Sequence, residues 1–346
     1  MTDIPHNRLT HDAAERDAVA AVVASGYWAQ GPQVAALEDQ LAKAAGRSSA
    51  VATGSGLGAL RLALIAAGVG PGDEVIVPAY GCVALANAVL ACGAAPVIAD
   101  VRAGDWNLDP ASVSACMSAQ TRAVIAVHTF GTPAPVAALR HDGVTVIEDC
   151  AHGLLVGGMG ALGDMAITSF YATKLVGAGM GGAVLAGAGE AARIRALRDY
   201  EDQPADGLRL NDKMTDMAGA LARCQLQRLP AMIERRAALA RRYLEAFAPL
   251  AQRGVLALPE MLGERVWYRF AVESLAMDAV DAVERLRALG IGADLPVFDW
   301  RARDAAACPV ADRAYRRLVS LPLYPMLTDA EQDRVITTML KVFQAA

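Results

Sequence analysis

From residue 49 to residue 185 the chain repeats one pattern: an apolar run of four to six residues, a turn, then a helical spacer. The runs at 49–53, 74–78, 96–100, 123–127, 144–147, 165–169 and 182–185 read as strands. They show no alternation of wet and dry positions, so both faces of the sheet they form must be covered. The spacers at 59–65, 82–92 and 110–118 read as the covering helices. The pattern predicts an α/β fold with a mostly parallel, seven-stranded-type sheet flanked by helices.

Two helices, 11–24 and 33–45, precede this repeat, and after about residue 190 the pattern changes. Residues 214–250 read as one or two long helices interrupted at Pro230, followed by a strand at 266–272 and helices at 278–289 and 328–344. With 346 residues, 54% of them hydrophobic, the chain can build two cores. The expected division is a large domain with an N-terminal arm, 1–235, and a smaller C-terminal α+β domain, 236–346, with the boundary inside the long helix.

Charge narrows the partners. The net charge is −5 and no basic block exists to neutralise a phosphate backbone, which argues against a nucleic-acid binder. Arg235, Arg236, Arg241 and Arg242 could serve an anionic small molecule, but such a cluster is more simply a solvated helix face. The cysteines Cys82, Cys92, Cys116, Cys150, Cys224 and Cys308 are scattered without C-x-x-C spacing, which fits the reducing cytoplasm. The first residues hold no apolar stretch of the signal-peptide kind, and no apolar run approaches the roughly 18 residues of a membrane span.

In parallel sheets the carboxyl ends of the strands carry the site. Three polar residues fall at or just beyond such ends: His128, Asp149 and Ser169. Ser169-Phe170-Tyr171-Ala172-Thr173-Lys174 runs into a glycine-rich segment, and Asp149 lies 25 residues before Lys174. A strand that delivers an acid, followed by one that delivers a Ser and a Lys, suits pyridoxal 5′-phosphate (PLP). The amine bonds covalently to the cofactor's aldehyde, and the carboxylate pairs with the protonated ring nitrogen. Gly54-Ser55-Gly56-Leu57-Gly58 joins a strand directly to a helix, where free N–H groups and the helix dipole make an anion site. Each residue also has a plainer reading. Asp149 could cap a turn, Ser169 could satisfy backbone, and His128 could be a core histidine. His6, His11 and His141 read as surface residues, and Cys82, Cys150 and Cys224 as small core residues. No metal site is expected.

Several ordered motifs resemble one family. They are Gly26-Tyr27-Trp28-Ala29-Gln30-Gly31-Pro32, Gly70-Pro71-Gly72-Asp73-Glu74-Val75, Val127-His128-Thr129-Phe130-Gly131, Ile147-Glu148-Asp149-Cys150-Ala151-His152, Ser169 through Lys174, and Leu321-Pro322-Leu323-Tyr324-Pro325. Over residues 8–340 the chain resembles the DegT/StrS-type aminotransferases, fold-type I PLP enzymes that mostly aminate nucleotide-linked keto-sugars. The resemblance implies that Lys174 holds the cofactor and shuttles the proton, and that Asp149 pairs with the ring nitrogen. It places His152 beside the ring and its 3′-oxygen, Ser169, Gly56 and Leu57 on the phosphate, and Cys82 against the ring. Asn211 would reach the PLP phosphate of a partner subunit in a homodimer, unless it merely caps the following helix. Tyr268 and Arg269 would face the substrate from the small domain.

The chain departs from the family at four cleft positions. Leu57 replaces Thr or Ala, Cys82 replaces a stacking aromatic with Tyr80 as the nearest aromatic, Leu175 replaces Asn and Met180 replaces an acid. The segments near 155–162 and 200–210 look short. The expected activity is amino transfer, with glutamate as donor, to a nucleotide-linked keto-sugar. A cyclitol or other small ketone as acceptor, or a non-catalytic regulatory homologue, are the alternatives. Lys174 and Asp149 argue against the second, and Lys174 argues against a sugar dehydratase, which has His there.

Overall fold

The fold is that of a computed structural model, which describes residues 3–154, 156–201, 207–260, 264–302 and 307–344. Two helices lead, α1 (Ala13–Ser25) and α2 (Pro32–Ala45). The Asp12 carboxylate accepts from the Ala14 N–H, and Glu15 reaches back to the Asp12 N–H, so α1 starts on reciprocal caps. At the start of α2 the cap comes from far along the chain. Buried Asp216 accepts from the N–H groups of Gly31, Gln33 and Val34.

The repeat follows as β1 (Ser49–Thr53), α3 (Gly56–Ala66), β2 (Glu74–Pro78), α4 (Ala84–Leu90), β3 (Ala95–Ala99), α5 (Pro110–Cys116), β4 (Thr121–Val127), β5 (Thr145–Asp149), β6 (Met165–Ser169), β7 (Gly182–Ala186) and α6 (Ala188–Arg198). The seven strands form one sheet in the order β1-β7-β6-β5-β4-β2-β3. Only β7 runs antiparallel to its neighbours. Alternate side chains enter different cores, as the pleat requires. Val51, Val75, Val77, Ile125 and Ile147 pack with α3, α4 and α6, whereas Ala50, Ala52, Ala166 and Leu185 pack with α2 and the long helix beyond. Each fully buried Val, Leu or Ile contributes about 1.5–3 kcal/mol. The sequence pattern passed over α6.

The C-terminal part comprises α7 (Asp216–Gln252), β8 (Leu256–Ala257), β9 (Phe270–Ser274), α8 (Ala279–Ala288), α9 (Pro309–Arg317), β10 (Leu318–Leu321) and α10 (Asp329–Gln344). Its small antiparallel sheet, β10-β9-β8, packs on a core that includes Tyr243, Phe247, Phe270 and Phe343. This is the smaller α+β unit, and residues 235 and 236 lie within α7.

Two expectations need correction. Pro230 does not interrupt α7, which runs unbroken for 37 residues. Pro230 sits on the exposed face, where water can take the carbonyl it leaves unpaired, and Leu229, Met232, Leu239, Tyr243 and Phe247 bury the other face on both sides of it. That burial outweighs the roughly 3 kcal/mol of an interior proline. The strand expected at 266–272 begins only at Phe270: the Val266 N–H donates to Gly131 O at 2.9 Å, and the Trp267 and Tyr268 carbonyls accept from Arg236, so these groups are taken from any strand ladder. β8, α9 and β10 were not anticipated. Among the described residues no helix is long and apolar enough to cross a membrane.

Candidate active site

The carboxyl ends of β1, β6, β5, β4 and β2 meet along one edge of the sheet. There the small unit, through Tyr268, Arg269 and Phe298, closes a cleft of about 510 Å³. Gly56, Leu57, Cys82, Asp149, His152, Ser169 and Lys174 all line it, and Asn211 does not.

At the turn after β1, Ser55 caps α3: its Oγ accepts from the Gly58 N–H at 3.0 Å. Gly56 and Leu57, the first two helical residues, have no intrahelical acceptor for their N–H groups. A Cβ on Gly56 would fall 2.7 Å from Ser169 Cβ, and one on Gly182 would fall 2.7 Å from Gly56 N. Bare backbone is therefore needed for the turn to lie against Ser169. The result is a cradle of N–H groups and a hydroxyl, fitted to a phosphate.

Asp149 ends β5 almost fully buried, accepting from the Ala151 N–H at 2.9 Å. Burial pushes its carboxyl up, against the opposing pull of that N–H and of Lys174. Among the described residues no ion pair reaches it, so it is a buried acid open to a cationic partner. Lys174 is half-buried, its Nζ 5.1 Å from the centre of the Tyr268 ring. Its loop is tied shut by Lys174 N–H to Tyr171 O at 2.8 Å and Ala172 N–H to Gly179 O at 3.1 Å. His152 stacks on Tyr268, and its Nδ1 accepts from the Phe130 N–H at 3.4 Å. Burial first, then the charges of Lys174 and Arg269, push the imidazole well below its usual range, so it is neutral.

Other candidates fall elsewhere. His128 is buried away from the cleft, with Nε2 3.0 Å from Glu148 and Nδ1 accepting from the Ala134 N–H. The core reading is the one the structure bears out. His128, Glu148 and Cys150 stand close enough to hold a metal ion. However, Glu148 is already engaged by His128 and by the N–H groups of Gly160, Leu162 and Gly163. Burial works to raise the Glu148 carboxyl, but these bonds prevail and hold it low.

His6 is not a free surface residue. It is half-buried, 2.9 Å from Ser320 Oγ and 3.3 Å from an Arg269 nitrogen. The arginine cluster is not a solvated face throughout. Arg236 is buried and donates to the carbonyls of Trp267, Tyr268 and Leu323, while Arg235 pairs with Asp329 and Arg242 with Asp333. Cys82 is exposed in the cleft instead of in a core. Asn211 is exposed, beside Asp212, whose carbonyl accepts from the Gly54 N–H at 2.7 Å. It does not cap α7, because Thr215 does. In the two short segments, residues 155 and 202–206 lie outside the described residues.

Sequence reasoning missed Thr129, and noted Tyr80 only as the aromatic nearest to Cys82. Both line the cleft just after β4 and β2. The same carboxyl-end rule that drew attention to His128 could have found them. Tyr80 does not supply the missing face, because its ring is buried among Trp106, Phe130 and Tyr315.

A mostly parallel sheet with a phosphate cradle, a buried acid and a lysine at one edge defines a PLP-dependent aminotransferase. The chain belongs to the DegT/DnrJ/EryC1/StrS aminotransferase family, which it matches over residues 10–340. It is 35% identical over 345 residues to a dTDP-3-amino-3,4,6-trideoxy-alpha-D-glucose transaminase of Streptomyces venezuelae, covering 93% of this chain and 90% of that one. Its fold is similar to that of S. venezuelae DesV, at TM-score 0.89, 32% identity and coverage of 96% and 95%. It is also similar to the aminotransferase TlmJ of Streptoalloteichus hindustanus, at TM-score 0.92, 28% identity and coverage of 99% of both chains.

Proposed function

We propose that this enzyme moves an amino group from glutamate to a nucleotide-linked keto-sugar in amino-sugar biosynthesis. The observation that carries the reading is the convergence of Asp149, Lys174 and the Gly56 cradle in one cleft. The kinship to a nucleotide-sugar transaminase supports the acceptor. Bound PLP would supply an electron sink for charge left on the carbon that bears the amino group. The N–H groups of Gly56 and Leu57 and the Ser169 hydroxyl would hold its phosphate. Asp149 would pair with its ring nitrogen and keep it protonated, and His152 and Cys82, which line the same cleft, would lie beside the ring. Lys174 would hold the aldehyde end of the cofactor, and its amine is the group placed to take up and return a proton there.

The division into a cofactor-holding part, 1–235, and a C-terminal part, 236–346, belongs to the same reading. So does a homodimer in which Asn211 of the partner subunit reaches the phosphate. Tyr27, Trp28, Leu57, Met180 and Leu208 are exposed apolar residues of the kind that such an interface would cover. All six cysteines are free, which fits the cytoplasm, where we place the reaction. The test is a screen of nucleotide-linked keto-sugars with glutamate as donor, read by mass spectrometry. Amination of one of them with 2-oxoglutarate released is the expected result. Amination of only unlinked ketones or cyclitols would move the substrate class.

A further inference from the structure

A side chamber of about 230 Å³ opens off the cleft, and Thr173, Tyr268 and Arg269 line both. Arg236, His6 and Ser320 add to its polar wall. Two guanidinium groups therefore share one small space. Among the described residues neither is paired with a carboxylate. Asp294, the wall's one acid among the described residues, is held by Arg287 at 2.8 Å and by the Leu295 N–H. Cations sheltered from water without a counter-charge are costly, so a fold that keeps two together has an anion to meet.

Each guanidinium is held by one corner. Arg269 Nη1 donates to His6 Nε2 at 3.3 Å and to Ser320 Oγ at 3.4 Å. Arg236 Nη1 donates to Leu323 O at 2.8 Å and Tyr268 O at 3.1 Å. The Nε and Nη2 atoms of both make no hydrogen bond among the described residues, and none of the four is shut off from water. Nε and Nη2 form the edge of the fork that meets both oxygens of a carboxylate at once. Neighbouring groups register the surplus positive charge. Burial works to raise the Tyr268 phenol, yet Lys174 and Arg269 prevail and lower it. His6 is lowered to about 4 by burial and then by Arg269, so it adds no charge of its own at neutral pH.

Position says whose carboxylate the edge meets. Lys174 Nζ lies 5.1 Å and Arg269 Cζ 5.6 Å from the centre of the same Tyr268 ring, and Thr173 adjoins Lys174. An anion on Arg269 therefore lies near the amine that meets the reactants. An amino acid carries a carboxylate on the carbon that bears its nitrogen. A nucleotide-linked sugar carries its diphosphate apart from its keto carbon, with a nucleoside beyond it that a chamber of this size does not hold.

We propose that Arg269, backed by Arg236, holds a carboxylate of the amino donor and turns its amino-bearing carbon towards Lys174. This rests on the reading of glutamate as donor and names the residues that select it.

The experiment uses the PLP-loaded enzyme and its Arg269→Lys and Arg269→Met variants. Glutamate is added with no acceptor, and conversion of the cofactor from its aldehyde to its amine form is read by absorbance. Lysine keeps the charge and loses the fork, whereas methionine loses both. Expected is a half-saturating glutamate concentration raised about tenfold in Arg269→Lys and about a hundredfold in Arg269→Met. Glutarate, a dicarboxylate with no amino group, should bind the wild type in calorimetry, compete with glutamate, and lose affinity in the same order. The affinities for PLP and for dTDP should change less than about twofold.

Unchanged glutamate saturation in Arg269→Met overturns the assignment, as does a loss confined to PLP. A loss confined to dTDP also overturns it and gives the chamber to the diphosphate. If Arg269→Met does not fold, Arg269→Lys decides by the same readings. If glutamate does not convert the wild type, the donor reading fails instead, and glutarate still tests the chamber. Affinity lost in the variants keeps the carboxylate site, and equal affinity, or none in the wild type, removes it.

Discussion

The rings of His152 and Tyr268 stack with centroids 4.2 Å apart and planes 13° from parallel. His152 follows β5 of the large unit, and Tyr268 precedes β9 of the small one. The contact therefore ties the two units at the cleft, with Lys174 Nζ 5.1 Å from the centre of the same tyrosine ring. Arg236 locks that tyrosine from behind by donating to its carbonyl.

Lys174 is the lysine expected to carry the cofactor. Borohydride treatment of the PLP-loaded protein should fix the label to the peptide holding Lys174, as peptide mapping will show. A label on another lysine, such as Lys213, would refute the assignment.

Asp149→Ala should retain part of its PLP affinity but lose turnover by several orders of magnitude, since the ring nitrogen would no longer be held protonated. Single-turnover spectra separate this from lost binding. Near-normal turnover would reject the role.

The cradle should be sensitive to one methyl group. Gly56→Ala places a Cβ 2.7 Å from Ser169 Cβ, closer than carbon atoms pack. PLP affinity should fall by tenfold or more, at about 1.4 kcal/mol per decade. Equilibrium dialysis would measure it, and unaltered affinity would show that the turn does not hold the phosphate.

Asn211 makes a prediction about assembly. If it serves the partner's site, Lys174→Ala and Asn211→Ala subunits, each inactive alone, should regain activity when exchanged, because one site of each hybrid carries neither lesion. Failure to recover after verified exchange, or full activity in a monomer by light scattering, would exclude the shared site.

His6 supplies a pH dependence. Burial, then Arg269, lower its pKa from 6.5 to about 4, against Asp294, with Arg287 adding to the fall. The unfolded chain therefore binds a proton that the fold refuses. Its contribution is fully present above pH 6.5 and is lost as pH falls towards about 4, on the order of 3 kcal/mol at most. Denaturant melts at pH 7 and pH 5 should show a smaller difference for His6→Gln than for the wild type. Equal differences would show that His6 does not titrate within the fold.

The sheet was legible because its strands are buried on both faces, and a run such as Glu74-Val75-Ile76-Val77-Pro78 carries that in its own composition. Asp149, Lys174 and the Gly56 turn were legible for a related reason. Each lies on or beside a strand's carboxyl end, and the topology of parallel sheets brings those ends together. What depends on distant chain was not legible. Asp216 caps a helix more than 180 residues away, and His6 seats on Ser320 across most of the sequence. Pro230 is tolerated only because both halves of α7 find cores to bury against. That neither the Tyr80 nor the Thr129 hydroxyl has a hydrogen-bond partner among the described residues is likewise a tertiary fact. Whether a hydroxyl has a partner depends on every group that folding packs around it, and no local pattern records that.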